Sequence, residues 1–362
     1  MPKLKGQRLK KIKIDNKPLW GGPEEEGITQ SMIQNFLRCR ERFRLKVIEG
    51  LGPVESFVKA IEYGNLWHAC EEEIAFPQGE GVGWEKRLLQ EAQKLCKKFP
   101  TQQEEIDKWY NVCKVQFPVY REFWKNSKDE KQKKNLLSEE TFKVSYKLPS
   151  GRIVYLKGKF DSVDVEGTRK LVLQENKSKG SIEELELARQ LKFDLQTLTY
   201  CTALNRYIEI NELDQKLHKV RYNVVRRPLS GGKGTIRQHK PTKSNPRGES
   251  KEAYYKRLQG VIEENADTFF MRWDVIIRPE ELEEFQDTCL NTILEQICQW
   301  YDWVSSPEGR KNPFRNNRHW RHPNGVYNAM NEGRSTAYDD YLLNGSRVGL
   351  EKIRTLFPEL EE

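Results

Sequence analysis

The stretch that decides the fold is Gly158–Lys179, GKFDSVDVEGTRKLVLQENKSK. It reads as a β-hairpin: an apolar-rich run through Val154 and Phe160 to Val165, a Glu166-Gly167-Thr168 turn, then Leu171-Val172-Leu173 leading into Glu175-Asn176-Lys177. With the turn centred near Gly167 or Thr168, the two arms bring Asp161 and Glu175 within a residue or two of facing one another, about 5 Å apart across the ladder. Two carboxylates that close repel unless a cation lies between them. Lys177, two residues past Glu175, presents its ammonium to the same face because side chains alternate along a strand. Asp, Glu and Lys converging at the open end of a hairpin are the minimal equipment for metal-assisted phosphodiester hydrolysis, with carboxylates to hold a divalent ion and lysine to steady the charge that develops on phosphate. Taken alone, the hairpin reads equally well as an exposed ribbon with solvated charges.

The neighbouring segments decide between these readings. Tyr63-Gly64-Asn65-Leu66-Trp67-His68 lies upstream in a helical pattern, and Gln196-Thr197-Leu198-Thr199-Tyr200 follows in another. The ordered set Gly64/His68, Gly158/Asp161, Glu175/Lys177 and Gln196/Tyr200 resembles the PD-(D/E)XK nucleases of the RecB type, which include recombination exonucleases and CRISPR-associated relatives. The segments Ile28–Ser31 and Phe36–Phe43 are similar to that family's opening, with Arg40 where proline is usual. The resemblance covers about residues 28 to 226. It implies an α/β, restriction-endonuclease-like core of helix, three-strand meander, helix and strand. It implies metal ligation by His68, Asp161, Glu175 and the backbone carbonyl of Asn176, with Mg²⁺ or Mn²⁺ as cofactor. Lys177, Glu175, Asp161, Gln196 and Tyr200 become the candidate catalytic residues, and DNA the expected partner, beside a recombination or single-strand-annealing protein.

Composition agrees with a polyanionic partner. The 362 residues carry a formal net charge of +8, and the mean hydropathy of -0.83 requires a modest core under a densely charged surface. Nine Trp and fourteen Tyr argue against disorder. No apolar run is long enough to span a membrane, and Met1–Lys13 lacks a secretory core, so a soluble, intracellular protein of cytoplasm or nucleoid is expected. Seven scattered cysteines read as reduced thiols. Some RecB-type relatives bind an iron–sulfur cluster; Cys39 stands where the first ligand would be, but no cysteine follows Cys298, so no cluster is expected.

Along the chain, residues 1–27 read as a loose basic lead-in. Residues 28–303 read as the nuclease domain, and 304–362 as a C-terminal helical extension. Thr29 or Ser31 caps a helix through Met32, Phe36, Leu37 and Arg40. A helix from Ser56 to Ile74 carries His68. Gly83–Asn126 forms a helical insertion whose aromatics cover that helix. The 3-strand meander is Glu140–Leu148, Arg152–Val165 and Leu171–Lys177. It is followed by a helix, Ile182–Tyr207, and a strand, Leu217–Val225. Glu280–Trp303 is a further amphipathic helix.

Arg189 and Lys192 share the stripe of Gln196 and Tyr200, and join Arg226, Arg227, Lys233, Arg237, Lys240 and Lys243 as candidate DNA contacts. Arg221–Arg257 holds eleven Lys or Arg against two Glu, and its part 226–252 reads as a mobile basic loop. Gly231-Gly232-Lys233-Gly234-Thr235 lacks the spacing of a nucleotide-binding loop. His319 and His322 have no carboxylate or thiol at ligand spacing. The function expected is a metal-dependent DNA nuclease, an exonuclease or end-processing enzyme in recombination, repair or phage replication. The alternatives are a non-catalytic DNA-binding or scaffold protein that keeps this fold, and a site-specific endonuclease.

Overall fold

The computed structural model describes residues 18–75, 82–180, 182, 192, 194–229, 236–243, 246–315, 337–357 and 360. The main elements are α1 (Gln30–Arg38), α2 (Arg40–Val47), β1 (Leu51–Pro53), α3 (Lys59–Ala75), α4 (Trp84–Lys98), α5 (Gln103–Lys125), α6 (Lys128–Gln132), β2 (Lys133–Lys147), β3 (Ile153–Glu166) and β4 (Lys170–Lys179). They continue with α7 (Leu195–Ile210), β5 (Lys216–Arg226), α8 (Lys251–Glu264), β6 (Phe270–Val275), α9 (Pro279–Phe285), α10 (Asn291–Ser305), α11 (Ala337–Asn344) and β7 (Leu350–Lys352). Two compact units are distinguishable, one built from 1–54, 147–155 and 292–362, the other from 55–146 and 156–291. No helix among the described residues is long and apolar enough to cross a membrane.

The second unit is built on a five-stranded sheet in the order β2-β3-β4-β5-β6. The β3–β4 hairpin closes at Gly167, whose φ of +68° favours glycine. Its register pairs Glu166 with Lys170 and Ser162 with Gln174, and just beyond it Asp161 bonds the Asn176 backbone, next to Glu175. β4 then runs parallel to β5, pairing Glu175 with Tyr222 and Asn176 with Asn223. A parallel pair needs a crossover, and α7 supplies it. Asp194 starts α7 by accepting the Thr197 N–H at 3.1 Å. The helix expected from Ile182 is therefore described only from Leu195, because most of 181–193 lies outside the described residues.

Helices cover both faces of this sheet. On one, Thr197 Oγ1 of α7 bonds Tyr222 Oη of β5. On the other, Asn223 of β5 donates to Glu71 of α3 and Tyr120 of α5, each at 2.7 Å. Leu88, Leu95, Trp109 and Phe117 of the insertion helices α4 and α5 close over Tyr63 and Trp67 of α3 in one buried cluster. Trp67 meets Phe117 and Tyr120 edge-on at 5.2 and 5.3 Å. Phe99, Trp109, Phe117 and Tyr120 are thus core, as their helical spacing implies, whereas Trp84, Tyr110 and Trp124 are half-buried and Phe123 is exposed.

Three sequence expectations are corrected within this unit. Lys125–Asn135, whose run of charges reads as a solvated loop, instead carries α6 running into β2, which begins seven residues before Glu140. β6 was not read at all, although it pairs antiparallel with β5 from Val220↔Val275 to Val225↔Phe270. The basic segment is held at several of its described points, although 237–243 are exposed. Leu229 and Ile236 lie against the core, and Glu249 clamps Arg257 with two bonds of 2.7 Å while accepting the His239 N–H at 2.9 Å. Its glycines and prolines suggested a chain unable to pack; one carboxylate facing several donors reverses that.

The first unit also departs from expectation. Cys39 adopts an extended conformation (φ -162°), so the helix expected to run through Arg40 breaks into α1 and α2. Thr29 caps α1 by accepting from Met32 N at 3.3 Å, and Cys39 Sγ caps α2 by accepting from Arg42 N at 3.5 Å. Residues 18–27 do not lie loosely. Trp20 is fully buried, packs edge-on against Phe43 and Tyr301, and donates to the Gly27 carbonyl at 3.0 Å.

Candidate active site and metal centre

The side chains read from the hairpin meet at the end of β3 and β4. Asp161 Oδ2 accepts the Asn176 backbone N–H at 2.8 Å, which fixes the carboxylate against the partner strand. Glu175 is 1% exposed. Its Oε2 accepts from Lys177 Nζ at 2.9 Å and from Gln196 Nε2 at 3.2 Å, and Lys177 also reaches Gln196 Oε1 at 3.4 Å. The three side chains close a triangle that spans β4 and α7. Glu175 Oε1 is buried with no hydrogen-bond partner. Burial pushes the Glu175 carboxyl up to about 7; Lys177 opposes that rise and Asp161 adds to it. Burial pulls the Lys177 ammonium down, but Glu175 and Asp161 outweigh it and hold the lysine above its ordinary value.

His68, Glu139 and Asp161 each place one donor atom within 4.8 Å of the others. Glu139, to which the local sequence gives no pointer, is a donor beside the expected His68 and Asp161. It sits in β2 at φ +49°, a left-handed conformation uncommon outside glycine. Lys159 of β3 holds its Oε2 at 2.6 Å. Burial first, then Asp161, raises the Glu139 carboxyl above its usual range. Glu175 stands beside this trio rather than in it, engaged by Lys177 and Gln196.

A family model described as the PD-(D/E)XK nuclease superfamily matches residues 28–299. The chain belongs to the PD-(D/E)XK nuclease superfamily. None of the curated proteins compared with it matches.

In this PD-(D/E)XK chain the motif glycines differ in what they do. A Cβ on Gly158 would stand 2.7 Å from Phe142 and 3.3 Å from Tyr200, so only glycine lets those rings close over β3. A Cβ on Gly64 would meet only Ser178 Oγ, at an ordinary 3.6 Å. Tyr200 packs edge-on against Phe142 and Phe160 at 5.6 and 6.1 Å and is half-buried.

Nucleases of this superfamily use divalent metals, and the donors present fit one. Two carboxylates and an imidazole converge, and a third carboxylate beside them keeps a buried oxygen without a partner. Hard divalent ions accept such oxygen-rich sets, and Mn²⁺ tolerates the imidazole more readily than Mg²⁺.

The candidate DNA contacts divide. Arg237, Lys240 and Lys243 are exposed. Lys192 pairs with Glu281 at 2.7 Å. Arg226 and Arg227 are half-buried, not free on a loop, because β5 continues through Arg226 opposite Lys179. Arg226 lies over the Phe269 ring at 5.0 Å, and Arg227 donates to the Ser178 carbonyl at 2.9 Å. Arg189, Lys233, His319 and His322 lie outside the described residues.

Proposed function

We propose that the protein is a divalent-metal-dependent deoxyribonuclease of the RecB type. In this reading it works on DNA ends, as an exonuclease or end-processing enzyme in recombination, repair or phage replication. The observation that carries this reading is the convergence of His68, Glu139 and Asp161 within 4.8 Å, next to the Lys177–Glu175–Gln196 triangle. A scaffold that had lost catalysis would have no need of a buried carboxylate–lysine pair with a free oxygen.

His68, Glu139 and Asp161 would hold the ion, with Glu175 beside them. A divalent ion bound there supplies Lewis-acid polarisation of the phosphate and acidifies water. Lys177 then carries the protein's own share of the chemistry. Its ammonium, kept protonated by Glu175 and Asp161, faces the charge that builds on the phosphate oxygens in the transition state. Gln196 bonds both partners and so fixes where that ammonium sits. The exposed Arg237, Lys240 and Lys243 would neutralise backbone phosphates without reading sequence.

Incubating the pure protein with linear and with covalently closed circular DNA, in Mg²⁺, in Mn²⁺ and in EDTA, tests the reading. Loss of linear DNA alone, abolished by EDTA, is the expected result. Cleavage of both forms would replace it with an endonuclease, and cleavage of neither with a DNA-binding scaffold.

A further inference from the structure

The metal-binding trio draws on three elements, His68 from α3, Glu139 from β2 and Asp161 from β3, so its geometry depends on where the helix is held over the sheet. One buried side chain ties the two together. Asn223 of β5 is 2% exposed and lies in register with Asn176 of β4 on one side and Arg272 of β6 on the other. Its Nδ2 donates to Glu71 Oε1 and Tyr120 Oη, each at 2.7 Å, and to Asn176 Oδ1 at 3.0 Å. Its Oδ1 accepts from Arg272 Nε at 3.1 Å. A guanidinium can only donate, which settles the oxygen end of the amide, and two N–H hydrogens facing three acceptors leave the amide one orientation. Arg272 is itself held, by Glu130 at 2.9 Å and over the Trp124 ring at 4.2 Å.

Both ends of this tie lead to the trio. Glu71 follows His68 by three residues on α3 and so shares its side of the helix; holding Glu71 to β5 therefore fixes where His68 stands over the sheet. Asn176, whose Oδ1 also accepts from Gln174 Nε2 at 3.2 Å, gives its backbone N–H to Asp161 Oδ2 at 2.8 Å. Apolar contacts press α3 on the sheet without direction, whereas hydrogen bonds fix a position along it. We propose that Asn223 is a positioning residue of the metal centre: without being a ligand, it sets the separation of His68 from Asp161 by clamping α3 and β4 to one amide. Removing a partner that stands behind a ligand in this way costs about 10- to 100-fold in metal affinity. The assignment rests on the nuclease reading only for His68 and Asp161 as ligands.

The test is Mn²⁺ binding by the full chain without DNA, followed by calorimetry and by the imidazole nitrogen coupling in the electron spin-echo spectrum of the bound ion. Asn223→Leu should weaken binding about tenfold or more and lose the nitrogen coupling. Leu258→Ala, which opens a cavity at a fully buried position of α8 and destabilises the unit in general, should keep both. Glu71→Gln and Glu71→Leu remove the same charge, but only glutamine retains an acceptor for Asn223. Glu71→Gln should therefore bind Mn²⁺ about tenfold more tightly than Glu71→Leu, a comparison that stands even where Asn223→Leu fails to fold. Wild-type affinity in Asn223→Leu, an equal loss in Leu258→Ala, or equal affinities in the two Glu71 variants would each overturn the proposal. Absence of Mn²⁺ binding by the wild-type protein would overturn it together with the metal centre. Mn²⁺ binding that depends on Asn223, with no cleavage of DNA, would defeat the nuclease reading and leave the positioning role standing.

Discussion

Lys159 holds one oxygen of Glu139 at 2.6 Å, while the other oxygen of that carboxylate stands 4.0 Å from His68 Nδ1. Glu139 is turned inward by a left-handed backbone and kept there by a lysine one strand away. If the carboxylate serves as a ligand, Glu139→Gln, which keeps its shape and removes its charge, should weaken Mn²⁺ binding by about tenfold or more with unchanged secondary structure. Calorimetric titration of both proteins checks this. Equal affinities would reduce Glu139 to the ion-pair partner of Lys159.

Little in the local sequence announces Glu139. It belongs to a Glu139-Glu140 pair at what reads as a strand entrance, and its approach to His68 depends on tertiary packing. Asp161 and Glu175 were legible for the opposite reason. A turn at Glu166-Gly167-Thr168 fixes the hairpin register to within a residue, and alternation then places Lys177. β6 escaped because Phe270–Val275 is short and flanked by helical pattern, and an edge strand is defined by the partner it finds. The basic segment misled through composition. Counting two Glu among eleven cations hides the fact that Glu249 alone holds Arg257 and the His239 backbone.

That clamp has a pH signature. The Arg257 hydrogen bonds, ahead of the other contributions, hold the Glu249 carboxyl down at about 2. A depressed folded-state pKa stabilises fully above the ordinary carboxylate value of 4.5 and is lost as pH falls through about 2. Glu249→Gln mimics the acid state at neutral pH. Trypsin should then cut after Arg237 or Lys243 several-fold faster than in wild type at pH 7.5. An unchanged rate would mean that packing of Ile236, rather than the carboxylate, holds this segment.

Glu71 works in the other direction. Burial lifts its carboxyl to about 7. Because the folded-state value lies above the unfolded one, its contribution is present below pH 4.5 and is lost as pH rises through 7, with a slope of up to about 1.4 kcal/mol per pH unit. Glu71→Gln should remove that slope, making the variant more stable than wild type at pH 8 but not at pH 5. Urea unfolding at the two pH values measures the difference. A parallel loss at both would show that the Asn223 hydrogen bond matters more than the buried charge.

The central claim is that Lys177 does chemistry while the carboxylates and His68 hold the ion. Asp161→Asn should lose both metal affinity and cleavage. Lys177→Ala leaves every proposed ligand in place and should still bind metal by calorimetry. The decisive measurement is single-turnover cleavage of linear DNA by Lys177→Ala at a Mg²⁺ concentration shown to saturate it. The account predicts a rate lower by about 10²-fold or more, the scale for removing a transition-state charge stabiliser. Cleavage at the wild-type rate by the folded, metal-loaded variant would contradict it.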